Sequence, residues 1–357
     1  MKEIGNNRKI FEYLNPCDNV ILTELNNSDR YNILLEMKKY YLELRSKLGI
    51  NQDVTFGLEI EFENANRNVI EDSISTSFPT GDWKVVDDGS LYNGGEINSS
   101  VLKDTEESWI DLSTVCDIVD ENAYVLDNTS AHVHIGMQIL GNNPKYWGNF
   151  VKLWMAYENI IFRFLYGEYL SPRNAILEQA RPIALDLIDK YKTGRIDERA
   201  KKSTAYYMFK LLDAGEDFRE RRKRSVNFTN VSSIEPYKYN SFGSMQTIEF
   251  RSPNGTFNPI IWQNNVNLLV HLFMYAKSDK FDEDIIIKRM KMLEEAMIPS
   301  NIRRYSRIYN DQVLELADLI FDNNLDKIYF LRQYYKDGNV SNMAMCKSEE
   351  FTRRKIR

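Results

Sequence analysis

Residues 55–62 read TFGLEIEF, and this short stretch is the strongest indication of the fold class. Apolar and acidic side chains alternate along it, so Glu59 and Glu61 point to one face and their apolar neighbours to the other. A period of two is typical of a half-buried β-strand. Strands with one polar face belong to antiparallel or mixed sheets more often than to fully buried parallel ones. The stretch therefore predicts such a sheet.

The same alternation returns further along the chain, in residues 131–137 (AHVHIGM) and 245–251 (MQTIEFR). Two further strands are predicted at 83–86 and 95–101, and the turn residues that begin at Asp88 and at Asn93 lie between them. Apolar residues spaced by three and four indicate helices between and after the strands. We therefore expect an α+β protein with helices on one side of the sheet. The remaining predicted strand is 225–231, and the predicted helices are 28–49, 104–126, 147–166, 258–276 and several within 282–335.

Local signals predict where some of these helices begin and end. Ser28 is a candidate N-cap, and Gly49 is a candidate stop for the same helix. Asp104 and Glu107 have the spacing of a capping box at the start of the next one. Pro259 suits the first turn of the helix that follows Asn258.

Composition and charge exclude some functional classes. The chain has 357 residues, of which 43% are hydrophobic and 12% aromatic, enough for a substantial core. A net charge of -6 disfavours a general nucleic-acid binder, although basic clusters lie at 219–224 and 353–357. Most such clusters are solvated faces. The three cysteines are far apart and no apolar run is long enough to span a membrane, so we expect a cytoplasmic protein without membrane partners.

Taken together, the polar faces of the predicted strands are unusual. A merely solvated face would use Thr, Ser and Lys freely, whereas these positions are almost all acidic, histidine or arginine. Neighbouring carboxylates repel each other unless a cation joins them. Glutamate oxygens with one or two imidazoles suit Mg²⁺ or Mn²⁺ better than a closed zinc site. The residues concerned are Glu59, Glu61, Glu96, His132, His134, Glu249 and Arg251.

A divalent cation beside an arginine indicates phosphoryl chemistry, with Arg251 placed to neutralise charge on phosphate oxygens. The sequence has neither a Walker A motif nor GxGxxG, so any ATP would have to bind at the sheet itself. For each strand taken alone, the alternative is a solvent-exposed polar face of an antiparallel sheet with no functional role. The third histidine, His271, lies in an apolar helical run and is interpreted as a core residue.

Six short motifs, taken in their order along the chain, resemble those of the amidoligases in the glutamine synthetase and glutamate–cysteine ligase superfamily. The resemblance covers about residues 54–270. Each motif is short, and the specificity lies in the ordered set. The motifs are GLEIEF at 57–62, DGSL at 88–91 followed by GEI at 95–97, SAHVHIG at 130–136, RSVNF at 224–228, TIEFR at 247–251 and NP at 258–259.

The resemblance implies a curved, mainly antiparallel sheet, the glutamine-synthetase-like half-barrel, with helices on its convex face and with ATP and Mg²⁺ on its concave face. Mn²⁺ is an alternative ion. One implied metal site comprises Glu59, His132 and Glu249, and another comprises Glu61 and Glu96. The implied catalytic residues are Arg251, Glu249 and Glu61, and the implied nucleotide-binding residues are Arg224, Arg251, Asn227 and His134.

This sequence departs from the family pattern in the middle of the chain. Glutamine synthetases carry a second glutamate in this region, and no clear counterpart of it follows Glu96, so the ligand set there is incomplete by comparison. Residues 98–100 read NSS in place of the frequent Ser-Pro. No residue can be assigned to the adenine ring.

The implied activity is that of an ATP-dependent carboxylate–amine ligase that forms an amide through an acyl phosphate. Its partners would be small-molecule or peptide carboxylates and amines; superfamily relatives form rings or dimers, which leaves a homo-oligomer open. The expected organisation is a helical arm over 1–50, a catalytic domain over 51–280 and a helical extension over 281–357. We interpret an insertion at about 171–224 as a lid or a wall for the acceptor.

Other functions remain open at this point. Guanidino kinases share this type of sheet, so the protein could phosphorylate a substrate without forming an amide. A non-catalytic binding protein on a degenerate ligase fold is a second alternative. Nucleic-acid binding through the basic residues of 219–224 is a third.

Overall fold

The computed structural model describes residues 8–141, 143–170, 172–184, 222–231, 246–296 and 309–336. Within these ranges the chain forms one open sheet of six strands in the order β2-β3-β1-β4-β6-β5. Every neighbouring pair is antiparallel, which confirms the predicted α+β class. The strands are β1 (Phe56–Phe62), β2 (Trp83–Val86), β3 (Gly95–Ser99), β4 (Ala131–Gly136), β5 (Val226–Asn227) and β6 (Thr247–Phe250).

Helices precede, separate and follow the strands along the chain, and most of the predicted helices are present. The helix predicted at 258–276 begins at Pro259, and the Asn258 side chain caps it by accepting from the Ile260 amide at 3.0 Å. The described helices are α1 (Arg8–Tyr13), α2 (Asn27–Met37), α3 (Arg67–Ser77), α4 (Glu106–Asn122), α5 (Pro144–Leu165), α6 (Ile176–Gln179), α7 (Pro259–Lys277), α8 (Glu283–Ala296), α9 (Asn310–Ile320) and α10 (Asn324–Tyr335).

The apolar face of the sheet packs against α5 and α7. The Phe250 ring on β6 lies 5.3 Å from the Trp154 ring of α5 and 5.8 Å from the Phe273 ring of α7, centre to centre. Phe150 of α5 stacks on Phe273 at 4.2 Å. Each such side chain, fully buried, contributes about 1.5–3 kcal/mol. This aromatic layer leaves the opposite, polar face of the central strands for chemistry.

Three predicted helix boundaries are wrong. The helix predicted over 28–49 spans only Asn27–Met37. Beyond it, the Arg45 and Leu48 amides donate to distant side chains and not to helical carbonyls. The N-cap of this helix is Asn26, whose side chain accepts from the Asp29 amide at 3.0 Å, and not Ser28. Helix α4 is capped by Thr105, which accepts from the Ser108 amide. Asp104 instead accepts from amides of the segment that follows α2.

The start of the chain packs on its last described helices. The amides of Leu22 and Thr23 donate to the Asp318 carboxylate at 3.0 and 2.9 Å, and Arg45 pairs with Asp326 at 2.7 Å. These contacts join residues that the predicted organisation assigns to the arm 1–50 and the extension 281–357. The division into three parts stays a prediction.

Several sequence expectations concern ranges outside those described. Residues 185–221, which are most of the predicted insertion, lie outside the described ranges, as do Arg219, Arg221 and the basic tail 353–357.

His271, interpreted as a core residue, lies half-buried with Nδ1 hydrogen-bonded to the Asn267 carbonyl at 2.8 Å. None of the described helices has the length and apolarity needed to cross a membrane.

Candidate metal centre

Strand register brings the predicted site residues side by side on the polar face. Glu59 on β1 is directly opposite His132 on β4, and Glu61 is opposite Glu96 on β3. His134 on β4 is opposite Glu249 on β6. Opposed residues in an antiparallel pair have Cβ atoms about 4.5–5.5 Å apart, so a one-residue slip in any strand would scatter them.

The side chains converge into two groupings that share one histidine. Glu59, His132 and Glu249 form the first, and Glu61, Glu96 and His132 form the second. In each grouping the candidate ligand atoms all lie within 4.8 Å of one another. The structure thus brings together all five residues predicted as metal ligands, and it adds His132 to the Glu61–Glu96 pair.

The imidazole of His132 stands between the two groupings. Its Nδ1 atom is 2.7 Å from Glu59 Oε2 and 3.8 Å from Glu249 Oε1, whereas Nε2 is 3.8 Å from Glu61 Oε1. A neutral imidazole offers a lone pair on only one nitrogen. His132 can therefore serve as a ligand in one grouping at a time, and its tautomer selects which one.

Ser130 holds Glu61 in place at the start of β4. Its amide donates to Glu61 Oε2 at 2.6 Å, and its hydroxyl donates to Glu61 Oε1. The same hydroxyl is 2.9 Å from His132 Nε2. Sequence reasoning passed over Ser130, although its place two residues before His132, on the same face of the strand, was a usable signal.

Two side chains on the same face of the sheet hold Glu249 in place. The Asn227 side chain on β5 donates to Glu249 Oε2 at 2.7 Å, and Arg251 donates to Oε1. Glu249 is only 3% exposed, so these two contacts supply much of what water would otherwise give. Asn227, predicted to bind the nucleotide, thus lies where it orients a candidate metal ligand.

Histidine and carboxylate charges set the pKa values at the first grouping. Burial acts to raise the pKa of Glu59, but hydrogen bonds from His132 and His134 outweigh it and hold that pKa well below its usual range. His134 Nε2 lies 2.7 Å from Glu59 Oε1. Burial acts to lower the pKa of His134, and this contact with Glu59 raises it overall. Burial likewise opposes ionisation of Glu249, yet Arg251 and the histidines lower its pKa.

Glu96 has the opposite balance. Burial raises the pKa of Glu96 to about 8, and the nearby carboxylates of Glu59, Glu61 and Asp88 add to the rise against a hydrogen bond from Asn98. A carboxyl in these surroundings needs either a proton or a cation. This crowding, with oxygen donors and one imidazole, fits Mg²⁺ or Mn²⁺.

The remaining predicted residues lie around this centre. Arg251 is 18% exposed at its side chain, and its Nε atom lies 3.5 Å from the Gln179 carbonyl in the segment 172–184. Arg224, predicted to bind the nucleotide, is buried, and its backbone pairs with that of Arg181. The Glu59 side chain is 21% exposed, more than those of its partners, so the centre is accessible from the Glu59 side.

Arg173 is a further residue that sequence reasoning missed, because it lies within the stretch interpreted as a lid. It is 4% exposed and donates to the Pro253 and Arg251 carbonyls at 2.6 and 2.8 Å. Burial lowers the pKa of Arg173 to about 10, against the negative charge of Glu61. A lone arginine in a polar stretch carries no sequence signal for such a role.

Comparison with known proteins adds no family to this geometry. No protein-family model matches the sequence, and no curated protein matches it either.

Proposed function

We propose that this protein is an ATP- and Mg²⁺-dependent ligase that joins a carboxylate to an amine, on a sheet of the glutamine synthetase type. The observation that carries the proposal is the convergence of Glu59, Glu61, Glu96, His132 and Glu249 on one face of an antiparallel sheet. The order of the sequence motifs that contain these residues also supports it.

The two groupings would hold divalent cations, one with Glu59 and Glu249 as ligands and one with Glu61 and Glu96. Bound Mg²⁺ would supply charge stabilisation for phosphate oxygens. The protein's own contribution is to hold its carboxylates ready. Ser130 orients Glu61 and Asn227 orients Glu249, so the ligands are arranged before the substrate arrives.

In the proposed reaction a substrate carboxylate oxygen attacks the γ-phosphorus of ATP, the bond to the ADP oxygen breaks, and an acyl phosphate forms. The amine then attacks the acyl carbon, phosphate leaves, and the ammonium proton passes to solvent or to a nearby carboxylate. Arg251 would neutralise charge on the phosphoryl oxygens. No enzyme nucleophile is required.

Residues 172–184 border the proposed site and would shield the acyl phosphate from water. The Gln179 carbonyl lies near the Arg251 guanidinium, and Arg181 forms a parallel backbone bridge with Arg224. Excluding water matters because an acyl phosphate is hydrolysed readily.

The decisive experiment compares Glu249→Gln with the wild type in a coupled assay for ADP, with Mg·ATP and pooled amino acids, peptides and polyamines. We expect the substitution to abolish Mg²⁺-dependent turnover while the far-UV circular dichroism spectrum is unchanged, because a charged candidate ligand is replaced by an amide of the same shape. Glu63→Gln is the matched control, since Glu63 is as buried as Glu249 but belongs to neither grouping among the described residues.

Product analysis separates the alternatives. ADP, phosphate and an amide in equal amounts support the ligase, whereas a stable phosphorylated product indicates a kinase. Wild-type protein that binds Mg·ATP without turning it over would indicate a binding protein on a degenerate fold. Full turnover in Glu249→Gln would rule out the proposed centre.

A further inference from the structure

Arg173 lies where three separate pieces of backbone meet beside the metal centre. Its guanidinium donates to the carbonyls of Arg251 and Pro253, and its own amide donates to Asn254 Oδ1 at 2.9 Å. The Pro253 carbonyl also accepts from the Ala131 amide at 3.3 Å. The buried Arg173 side chain therefore holds the segment that follows β6, and this segment in turn pairs through its backbone with the beginning of β4.

Both linked strands carry residues of the proposed centre at this point. Arg251 directly follows β6, and its carbonyl is one of the two that Arg173 holds. Ser130, which binds Glu61, immediately precedes β4 and forms a backbone bridge with Asn254. A shift of the 251–254 backbone would thus move Arg251 and disturb Ser130 together.

Close packing makes this junction sensitive to small displacements. Gly255 approaches so closely that a Cβ atom there would lie 2.9 Å from the Thr129 carbonyl oxygen. The Gly255 amide donates to that same carbonyl at 3.0 Å. Only a planar fork such as a guanidinium donates to two carbonyls at once in fixed directions, which a lysine cannot do.

We propose that Arg173 is a positioning residue, which fixes the main chain of residues 251–254 so that Arg251 faces the phosphoryl group and Ser130 holds Glu61. This role rests on the proposed function for its catalytic consequence. Its structural part concerns the backbone alone and can be tested without turnover. The substitution Arg173→Lys keeps the charge and removes the fork.

The first measurement is a double-mutant cycle on kcat with Arg173→Lys and Arg251→Lys. We expect Arg173→Lys to lower kcat about 10- to 100-fold with KM for ATP nearly unchanged, because a misplaced group affects the reaction more than binding. The two losses in kcat should be strongly non-additive, since an Arg251 side chain that is already displaced contributes little to kcat, and replacing it then lowers kcat little further. Additive losses would overturn the proposal.

Arg163→Lys is the matched control, because Arg163 is also 4% exposed and also donates to a backbone carbonyl, that of Leu170. We expect its effect on kcat to be small and additive with Arg251→Lys. The same coupling in both pairs would mean general loosening of the core, and would also overturn the role of Arg173.

The second measurement is amide hydrogen exchange, which needs no activity. Faster exchange at Ala131 and Asn254 in Arg173→Lys, but not in Arg163→Lys, supports the junction. Unchanged exchange there contradicts it. If the wild type has no ATP turnover, the proposed function fails while exchange still decides the junction. Should Arg173→Lys not fold, Arg173→Gln, which also removes the guanidinium fork, replaces it in both measurements.

Discussion

Buried carboxylates occur in two contrasting settings in this molecule. Asp104, at 1% exposure, accepts from the amides of Leu48, Gly49 and Ile50 at 2.8, 2.8 and 3.2 Å, and from Trp109 Nε1 at 2.8 Å. Neutral donors surround this single negative charge. The fold itself thus supplies the hydrogen bonds that the Asp104 carboxylate needs, and these bonds connect the segment after α2 to the start of α4.

The polar face of the sheet is arranged differently. Glu59, Glu61, Glu96 and Glu249 share one space with His132, and Glu96 meets mainly other carboxylates there. Carboxylates that repel each other cost stability, and such a cost is retained where function requires it. The comparison teaches that the surroundings of a buried carboxylate, more than its burial, separate a structural group from a functional one.

The largest expected effect tests the structural setting. We expect Asp104→Ala to lower the free energy of unfolding by about 3 kcal/mol or more, because it leaves buried donors without an acceptor. Urea unfolding monitored by circular dichroism measures it. The neighbouring Thr105→Ala, which removes only the cap of α4, should cost about 1 kcal/mol.

A loss of stability in Asp104→Ala no larger than that in Thr105→Ala would break the comparison. It would mean that water replaces the Asp104 carboxylate as acceptor for the amides of the segment 48–50, so that Asp104 contributes little to the stability of the fold.

The second expected effect is a pH dependence that both settings share. Burial raises the pKa of Glu158 on α5 to about 7 from 4.5, against four hydrogen bonds from Trp154, Ile183, Ala184 and Ser225. The folded chain then binds a proton more tightly than the unfolded chain. The free energy of unfolding should therefore fall as pH rises from about 4.5 to 7, by about 3 kcal/mol in total from this group.

Glu158→Gln should remove that part of the slope, as measured by urea unfolding at intervals between pH 4.5 and 8. Glu96 has a raised pKa of about 8 and contributes a slope of the same sign. Saturating Mg²⁺ should cancel the Glu96 part and leave the Glu158 part unchanged. If Mg²⁺ leaves the whole slope as it was, Glu96 does not face a cation site.

The smallest expected effect is stabilisation by the cation itself. A ligand that binds only the folded chain at 100 times its Kd stabilises it by about 2.7 kcal/mol. We expect MnCl₂ at that excess to raise the unfolding temperature of the wild type and of the Glu63→Gln control by the same amount, and to raise that of Glu61→Gln less, because this variant keeps only the Glu59–His132–Glu249 grouping intact. Calorimetric unfolding scans measure the shift. An equal shift in all three proteins would place the bound Mn²⁺ elsewhere.

Much of the strand pattern was predictable from sequence, since alternation depends on neighbours only two residues apart. Glu59 with Glu61, His132 with His134, and Glu249 with Arg251 were each assigned to one face, and the register agrees with those faces. The prediction of a helix up to residue 49 was wrong, because backbone amides beyond Met37 donate to side chains that are distant in sequence. Helix α3 was not predicted, although its buried residues Ile70 and Ile74 have the spacing of one helix face.

By itself, the sequence determined which side chains share a face of a strand, because that follows from covalent geometry and a period of two. Only the tertiary structure decided which strands are neighbours and in what register, and hence that Glu61 meets Glu96 while Glu59 meets His132. It also brought Arg173 against the backbone that follows β6. Contacts between distant segments depend on the packing of the whole core, and no local pattern records them.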